Sequence, residues 1–147
     1  MKICVLRESY PDENRVALVP ETVERLVRAG HEIIIEESVG KDAGFLDSSY
    51  VASGAKMTSR NDISGTADVV VHVQPPTEVE IGEMKNGTVF VSLLNARSNP
   101  SCVSALASAG VTALAMDLVP RIARAQRMDV LSSQASIAGY KAALLAA

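Results

Sequence analysis

Aromatic residues are scarce, at 3% of the 147-residue chain, and tryptophan is absent. Any core is therefore aliphatic, built from Val, Ile, Leu, Ala and Met. Cysteine occurs only as Cys4 and Cys102, far apart in apolar segments. Two buried free thiols in a reducing compartment are the expected state, ahead of a disulfide. No Cys/His spacing suggests zinc. No apolar run approaches the roughly 20 residues that a membrane helix needs. Basic excess is missing too: 14 Lys and Arg stand against 17 Asp and Glu, a net charge of −3. That argues against nucleic acid as a partner. Lys2 and Arg7 bracket a short strand-like stretch, so no secretory signal is expected there. Also absent are the Gly-x-Gly-x-x-Gly fingerprint after a strand and a phosphate loop ending in Gly-Lys-Ser/Thr. After the first strand-like run comes Arg7-Glu8-Ser9-Tyr10-Pro11, with no glycine for close approach to a pyrophosphate. Such a domain is not expected to hold a dinucleotide alone.

What is present is enough for one packed domain: 48% hydrophobic and 21% charged residues. Strand-like and helix-like patterns alternate. Residues 2–6 (KICVL), 31–36 (HEIIIE), 67–73 (ADVVVHV), 88–93 (TVFVSL) and 111–116 (VTALAM) read as five strands. Helices are expected over 20–29, 48–53 (capped by Asp47), 77–84, about 100–109, and from Ser132 or Ser133 to the C-terminus. Gly30, Gly54 and Gly110 follow three of them as stops. Gln74-Pro75-Pro76 ends the third strand, since proline removes ladder donors. Continuous apolar strands separated by helices mean an open, mostly parallel α/β sheet with helices on both faces, flavodoxin-like or Rossmann-like. Ligands of such folds gather beyond the C-terminal strand ends. That directs attention to residues 7–20, 74–77, 94–100 and 117–132.

Within those segments, Arg15 is either a bidentate carboxylate clamp or a surface arginine paired with Asp12 or Glu13, and pattern alone favours the pair. His72, inside the third strand, reads as a hydrogen-bonded or edge residue. His31, beside a helix stop, reads as a structural cation at a helix C-terminus. Residues 117–134 are long for an α/β connection and carry Arg121, Arg124 and Arg127. Leu118, Ile122 and Ala125 recur at helical spacing, which allows a short amphipathic helix. Alternatively the segment is a polar loop presenting Arg, Gln, Asp and Ser to an anionic ligand. An amide on that ligand would be met by Gln and Asp, which supply donor and acceptor.

The block Pro120-Arg121-Ile-Ala-Arg-Ala-Gln126-Arg-Met-Asp129-Val-Leu-Ser132-Ser133, with Ile137-Ala138-Gly139-Tyr140-Lys141-Ala142, resembles the NAD(H)-binding alpha subunit of proton-translocating NAD(P) transhydrogenases. Residues 7–20 (Arg-Glu…Asn-Arg-Val-Ala-Leu-Val-Pro) are similar to the N-terminal domain that this family shares with alanine dehydrogenase, and residues 113–120 (ALAMDLVP) add to the likeness. The resemblance covers essentially the whole chain. Alanine dehydrogenases carry a lysine just after the third strand and a histidine at the end of the fourth; here those places read Gln74 and Leu94, with Asn95 beside it. Loss of an amine and an imidazole disfavours amino-acid deamination, which must move protons. Hydride transfer between two nicotinamides needs only orientation and exclusion of water.

The resemblance implies that Arg121, Gln126 and Asp129 belong to a mobile loop positioning the dihydronicotinamide ring, with Ser132 contacting the same assembly. All four are orienting residues. Arg15 matches a substrate-carboxylate arginine of the dehydrogenases. The family also implies a domain over residues 1–131 and a linker helix over 132–147 leading to a separate NAD-binding domain, after which the chain returns to complete the first domain. NADP(H) sits on a partner domain, a membrane subunit couples transfer to proton movement, and a homodimer at the cytoplasmic face of the membrane is expected. This chain alone is expected to bind NAD weakly or not at all and to lack turnover. An alanine-dehydrogenase-type oxidoreductase and a non-catalytic α/β interaction module are the alternatives.

Overall fold

The computed structural model describes residues 1–63 and 65–146, with only the backbone of residues 61 and 62. Ala147, the last residue of the expected linker helix, lies outside the described residues. Six strands form one sheet: β1 (Lys2–Val5), β2 (Glu32–Glu36), β3 (Lys56–Thr58), β4 (Val69–Val71), β5 (Val89–Ser92) and β6 (Thr112–Ala115). All neighbours pair in parallel, in the order β3-β2-β1-β4-β5-β6. Helices α1 (Pro20–Arg28), α2 (Asp47–Ala52), α3 (Arg60–Ile63), α4 (Glu78–Glu83), α5 (Pro100–Ser108) and α6 (Val130–Ala146) connect or follow them. The chain winds outward from β1 to β3, then crosses back to β4 and winds the other way. The order thus reverses between β1 and β4, where a crevice opens beyond the strand ends.

The alternation of side chains along each strand divides the apolar runs between two cores. On one face Cys4, Val70 and Phe90 pack with Ile81 of α4 and Cys102 and Leu106 of α5. On the other Ile3, Val5, Ile33 and Ile35 pack with Val23 of α1 and Tyr50 of α2. Both cysteines are free and buried, as expected of an aliphatic core. Register places Val5, Val71, Val91 and Leu114 on the α1/α2 face. There, over β4 to β6, cover runs out: Val71 and Val91 are only half-buried, and Leu114 is 50% exposed.

Two local expectations need correction. A sixth strand, β3, joins the five: it is three residues long, sits at the sheet edge and has no apolar run to announce it, with Lys56 ion-paired to Glu32 at 2.8 Å. Asp47 does not cap α2; its carboxylate instead accepts the Ser38 N–H at 3.0 and 3.1 Å, steadying a residue with φ of 62°. His31 follows the α1 stop at Gly30, and among the described residues its Nδ1 is buried without a hydrogen-bond partner. Helix α4 starts on a capping box, in which Glu80 N–H donates to the Thr77 hydroxyl and the Thr77 N–H donates to the Glu80 carboxylate.

Candidate functional site

At the β1/β4 reversal, Glu8 leaves β1 and folds across to the end of β4. Its carboxylate accepts the main-chain N–H of Val73 at 2.7 Å and of Gln74 at 3.1 Å. Burial pushes its pKa up, and the two amides and neighbouring acids modulate that. The Gln74 side-chain amide donates to Glu13 at 2.6 Å. Arg15 grips the same carboxylate in a fork, Nε to Oε1 at 2.8 Å and Nη2 to Oε2 at 2.6 Å. The arginine's hydrogen bonds, against the cost of burial, hold the Glu13 carboxyl down at about 2. The remaining Arg15 nitrogen, Nη1, donates to Gln134 Oε1 on α6 at 3.3 Å. Of the two readings of Arg15, the structure takes the pair with Glu13, although the pair is no isolated surface bridge.

His72 lies just past β4 and is buried, with its ring 5.5 Å from that of Phe90. Its Nδ1 is 4.0 Å from Glu8, too far for a hydrogen bond, and among the described residues its Nε2 has no partner. Burial drives its pKa down to about 4, so the ring is neutral. The expectation of a hydrogen-bonded or edge histidine fails among the described residues: β4 is an interior strand, the ring lies against Phe90, and the Glu8 carboxylate stops short of bonding distance. Sequence reasoning also missed a buried carboxylate. Glu80 is 3% exposed and accepts from Ser9 Oγ at 2.8 Å and Arg60 Nη1 at 3.1 Å. The Thr77-x-x-Glu80 capping signature was the signal that could have found it.

Beyond β6 the chain forms two short 3-10 turns, Met116–Leu118 and Ala123–Met128. The amphipathic helix that residues 117–134 allowed does not form. Ala125 is buried, but Leu118 is 48% and Ile122 56% exposed, so no apolar stripe meets the core. The polar-loop reading describes the segment better. Arg121, Gln126, Asp129 and Ser132 come together around one concavity of about 270 Å³, with Ile122 and Ala123 as its apolar part. Asp129 closes the loop and starts α6, accepting the Ser132 N–H at 2.9 Å and the Ser132 hydroxyl at 2.5 Å. Those two bonds, with Arg121 nearby, hold its carboxyl below the usual range. A larger cavity of about 460 Å³ adjoins the root of α6, walled by Val16, Phe45, Val91, Met116 and Val130.

Residues 4–138 match the family described as alanine dehydrogenase/PNT, N-terminal domain. The chain belongs to that family. Within the alanine dehydrogenase/PNT group it is 40% identical over its full length to the NAD(P) transhydrogenase subunit alpha of Haemophilus influenzae, covering 28% of that protein. It is 31% identical to alanine dehydrogenase 1 of Staphylococcus aureus, again over its full length and 38% of that protein. The crystal structure of a transhydrogenase from Sinorhizobium meliloti superposes with a TM-score of 0.94 at 39% identity, over 98% of this chain and 43% of that one. The chain thus spans less than half of each of these relatives. At the two places where the resemblance leads one to look for a lysine and a histidine in alanine dehydrogenases, the Gln74 amide is bonded to Glu13 and Leu94 is 3% exposed in the core. Neither can donate or withdraw a proton as an amine or imidazole would. Among the described residues there is no group of three or more His, Cys, Asp or Glu able to hold a metal, and no helix long and apolar enough to cross a membrane.

Proposed function

We propose that this chain is the N-terminal part, domain 1–131 with the start of a linker helix, of the NAD(H)-binding alpha subunit of a proton-translocating NAD(P) transhydrogenase. The observation that carries the reading is the convergence of Arg121, Gln126, Asp129 and Ser132 on one concavity. Whole small-molecule sites occupy about 300–1,000 Å³, so a space of about 270 Å³ suits one ring and its substituent rather than a dinucleotide. The donor set fits a carboxamide-bearing ring. Gln126 offers both a donor and an acceptor, Arg121 only donors, and Asp129 only acceptors while ionised. When bound there, a nicotinamide supplies the hydride chemistry. These residues do the orienting: Asp129 and Ser132 lock one wall, and Gln126 and Arg121 choose the face presented. No proton is moved at any of them, in keeping with a reaction that needs none.

The half-covered sheet face over β4 to β6 is where the returning segment of a longer chain would pack to complete this domain. The adjoining NAD-binding domain, the partner carrying NADP(H), the membrane subunit, a second copy in a homodimer and a position at the cytoplasmic face of the membrane belong to the same proposal.

The test is deuteride transfer from 4-deuterated NADPH to NAD⁺ by the complete subunit joined to its NADP-binding partner, read by mass spectrometry. Label in the NADH product supports the reading. Absence of label, together with pyruvate- and ammonia-dependent oxidation of NADH, would replace it with an alanine dehydrogenase.

A further inference from the structure

We infer that Glu13, Arg15 and Gln134 form a latch that fixes the root of α6 and so positions the Asp129–Ser132 turn at the nicotinamide site. The inference rests on the transhydrogenase reading. It begins with the poor attachment of α6. Of its 17 residues, only Val130 and Gln134 are half-buried, the others, Leu131 at 36% among them, being exposed. They are four apart, hence on one side of the helix, and both line the large cavity against the sheet. Val130 contributes an apolar contact without direction. Gln134 contributes direction: apart from the bonds of Ser132 and Ser133 to the adjoining Asp129, the Arg15–Gln134 bond is the one side-chain hydrogen bond among the described residues that ties α6 to the sheet domain before it.

The other end of that bond is rigid. The Arg15 fork is committed to Glu13, whose carboxylate also takes the Gln74 amide. Gln74 in turn follows β4 and has its main chain pinned by Glu8. The root of α6 is therefore referenced, through four side chains, to the two strands at the sheet reversal. An arginine neutralised by a carboxylate and further occupied by an amide is a poor receptor for an anionic ligand, which leaves positioning as its role. Ser132 sits half a turn from Gln134 on the same first turns of α6, and Ser132 holds both oxygens of Asp129. A shift of the root therefore carries the wall of the concavity with it.

The experiment uses the complete subunit with its NADP-binding partner. Gln134→Leu removes the acceptor, and Gln134→Glu keeps one. In Gln134→Leu we expect hydride transfer to fall about tenfold or more while the Kd for NADH, from fluorescence titration, stays within about threefold, because a misplacement of about 1 Å costs rate before affinity. Amide hydrogen exchange at residues 132–136 should quicken in the same variant, and Gln134→Glu should restore both rate and protection. Wild-type transfer and exchange in Gln134→Leu would overturn the latch. So would an equal loss of NADH affinity, which would mark Gln134 as a ligand contact, or failure of Gln134→Glu to rescue. An inert wild-type enzyme would instead sink the transhydrogenase reading, and the exchange measurement alone would then judge the latch.

Discussion

Asp129 holds Ser132 twice, once through its main-chain N–H at 2.9 Å and once through its hydroxyl at 2.5 Å. The same carboxylate both caps a helix and faces a concavity. Two substitutions separate these duties. Asparagine caps helices as well as aspartate, whereas alanine forfeits about 1 kcal/mol. Asp129→Asn should unfold in urea at the wild-type midpoint, and Asp129→Ala should unfold earlier. If the charge orients the ring, both should slow transfer in the complete enzyme about tenfold or more. Wild-type transfer in Asp129→Asn would confine this residue to capping.

Glu8 satisfies two backbone donors at once, those of Val73 and Gln74. Glu8→Ala strands both and should cost about 2–4 kcal/mol, at roughly 1–3 kcal/mol for each unsatisfied buried group and allowing for water entry. Glu8→Gln keeps one acceptor oxygen and should cost about half as much. Denaturant unfolding of the two variants gives the ratio directly.

Acid should destabilise the fold in two stages. His72 is neutral when folded, with its pKa down at about 4 against 6.5 when free. Between those values the unfolded chain binds the extra proton, so stability falls as pH drops from 6.5 towards 4. Glu13, at about 2 against 4.5, adds a second loss from 4.5 downwards. Glu8 works in the opposite sense, since burial raises its pKa. In His72→Leu the first limb of a stability–pH curve should flatten while the second persists. An unchanged first limb would clear His72 of responsibility.

Adjacent valines in β4 should behave differently. Val70 is 4% exposed beneath α4 and α5, whereas Val71 is half-buried on the thinly covered face. Val70→Asp buries an unpaired charge and should cost about 4 kcal/mol or more, enough to unfold the domain. Val71→Asp should cost clearly less, by about 2 kcal/mol. Circular dichroism melts of the pair test the asymmetry, and equal losses would show the face to be fully covered.

The central strands were legible because their apolar runs are continuous. A strand buried on both faces tolerates no other pattern. Strand β3 was not, because Lys-Met-Thr at a sheet edge needs only one neighbour and no apolar face. Proline and glycine marked the boundaries of α1 and α5 well, with φ of 85° at Gly30 and 69° at Gly110 making the left-handed stops that were expected. Arg121, Gln126, Asp129 and Ser132 were singled out by resemblance alone, since Arg, Gln, Asp and Ser in an irregular segment have no period to read; what the structure adds is that they line one concavity. What stayed hidden was pairing across the chain. Nothing in the sequence links Glu8 to Val73, 65 positions away, or Arg15 to Gln134, 119 away. Such bonds follow from strand order, which local pattern does not specify. Asp47 shows the same limit from the other side: a good capping residue beside a helix was drawn to a different unsatisfied amide.

The proportions of α6 have a mechanical consequence. Seventeen residues at about 1.5 Å each make an arm of about 25 Å, so a tilt of about 5° at its base swings the far end by about 2 Å. Ile137, Tyr140, Leu144 and Leu145 lie along that arm, each more than half exposed. On the proposed function, a second lobe gripping them would be steered from a fulcrum at the arm's base, and displacements too small to disturb a packed core would become large enough to open or shut the gap between the lobes.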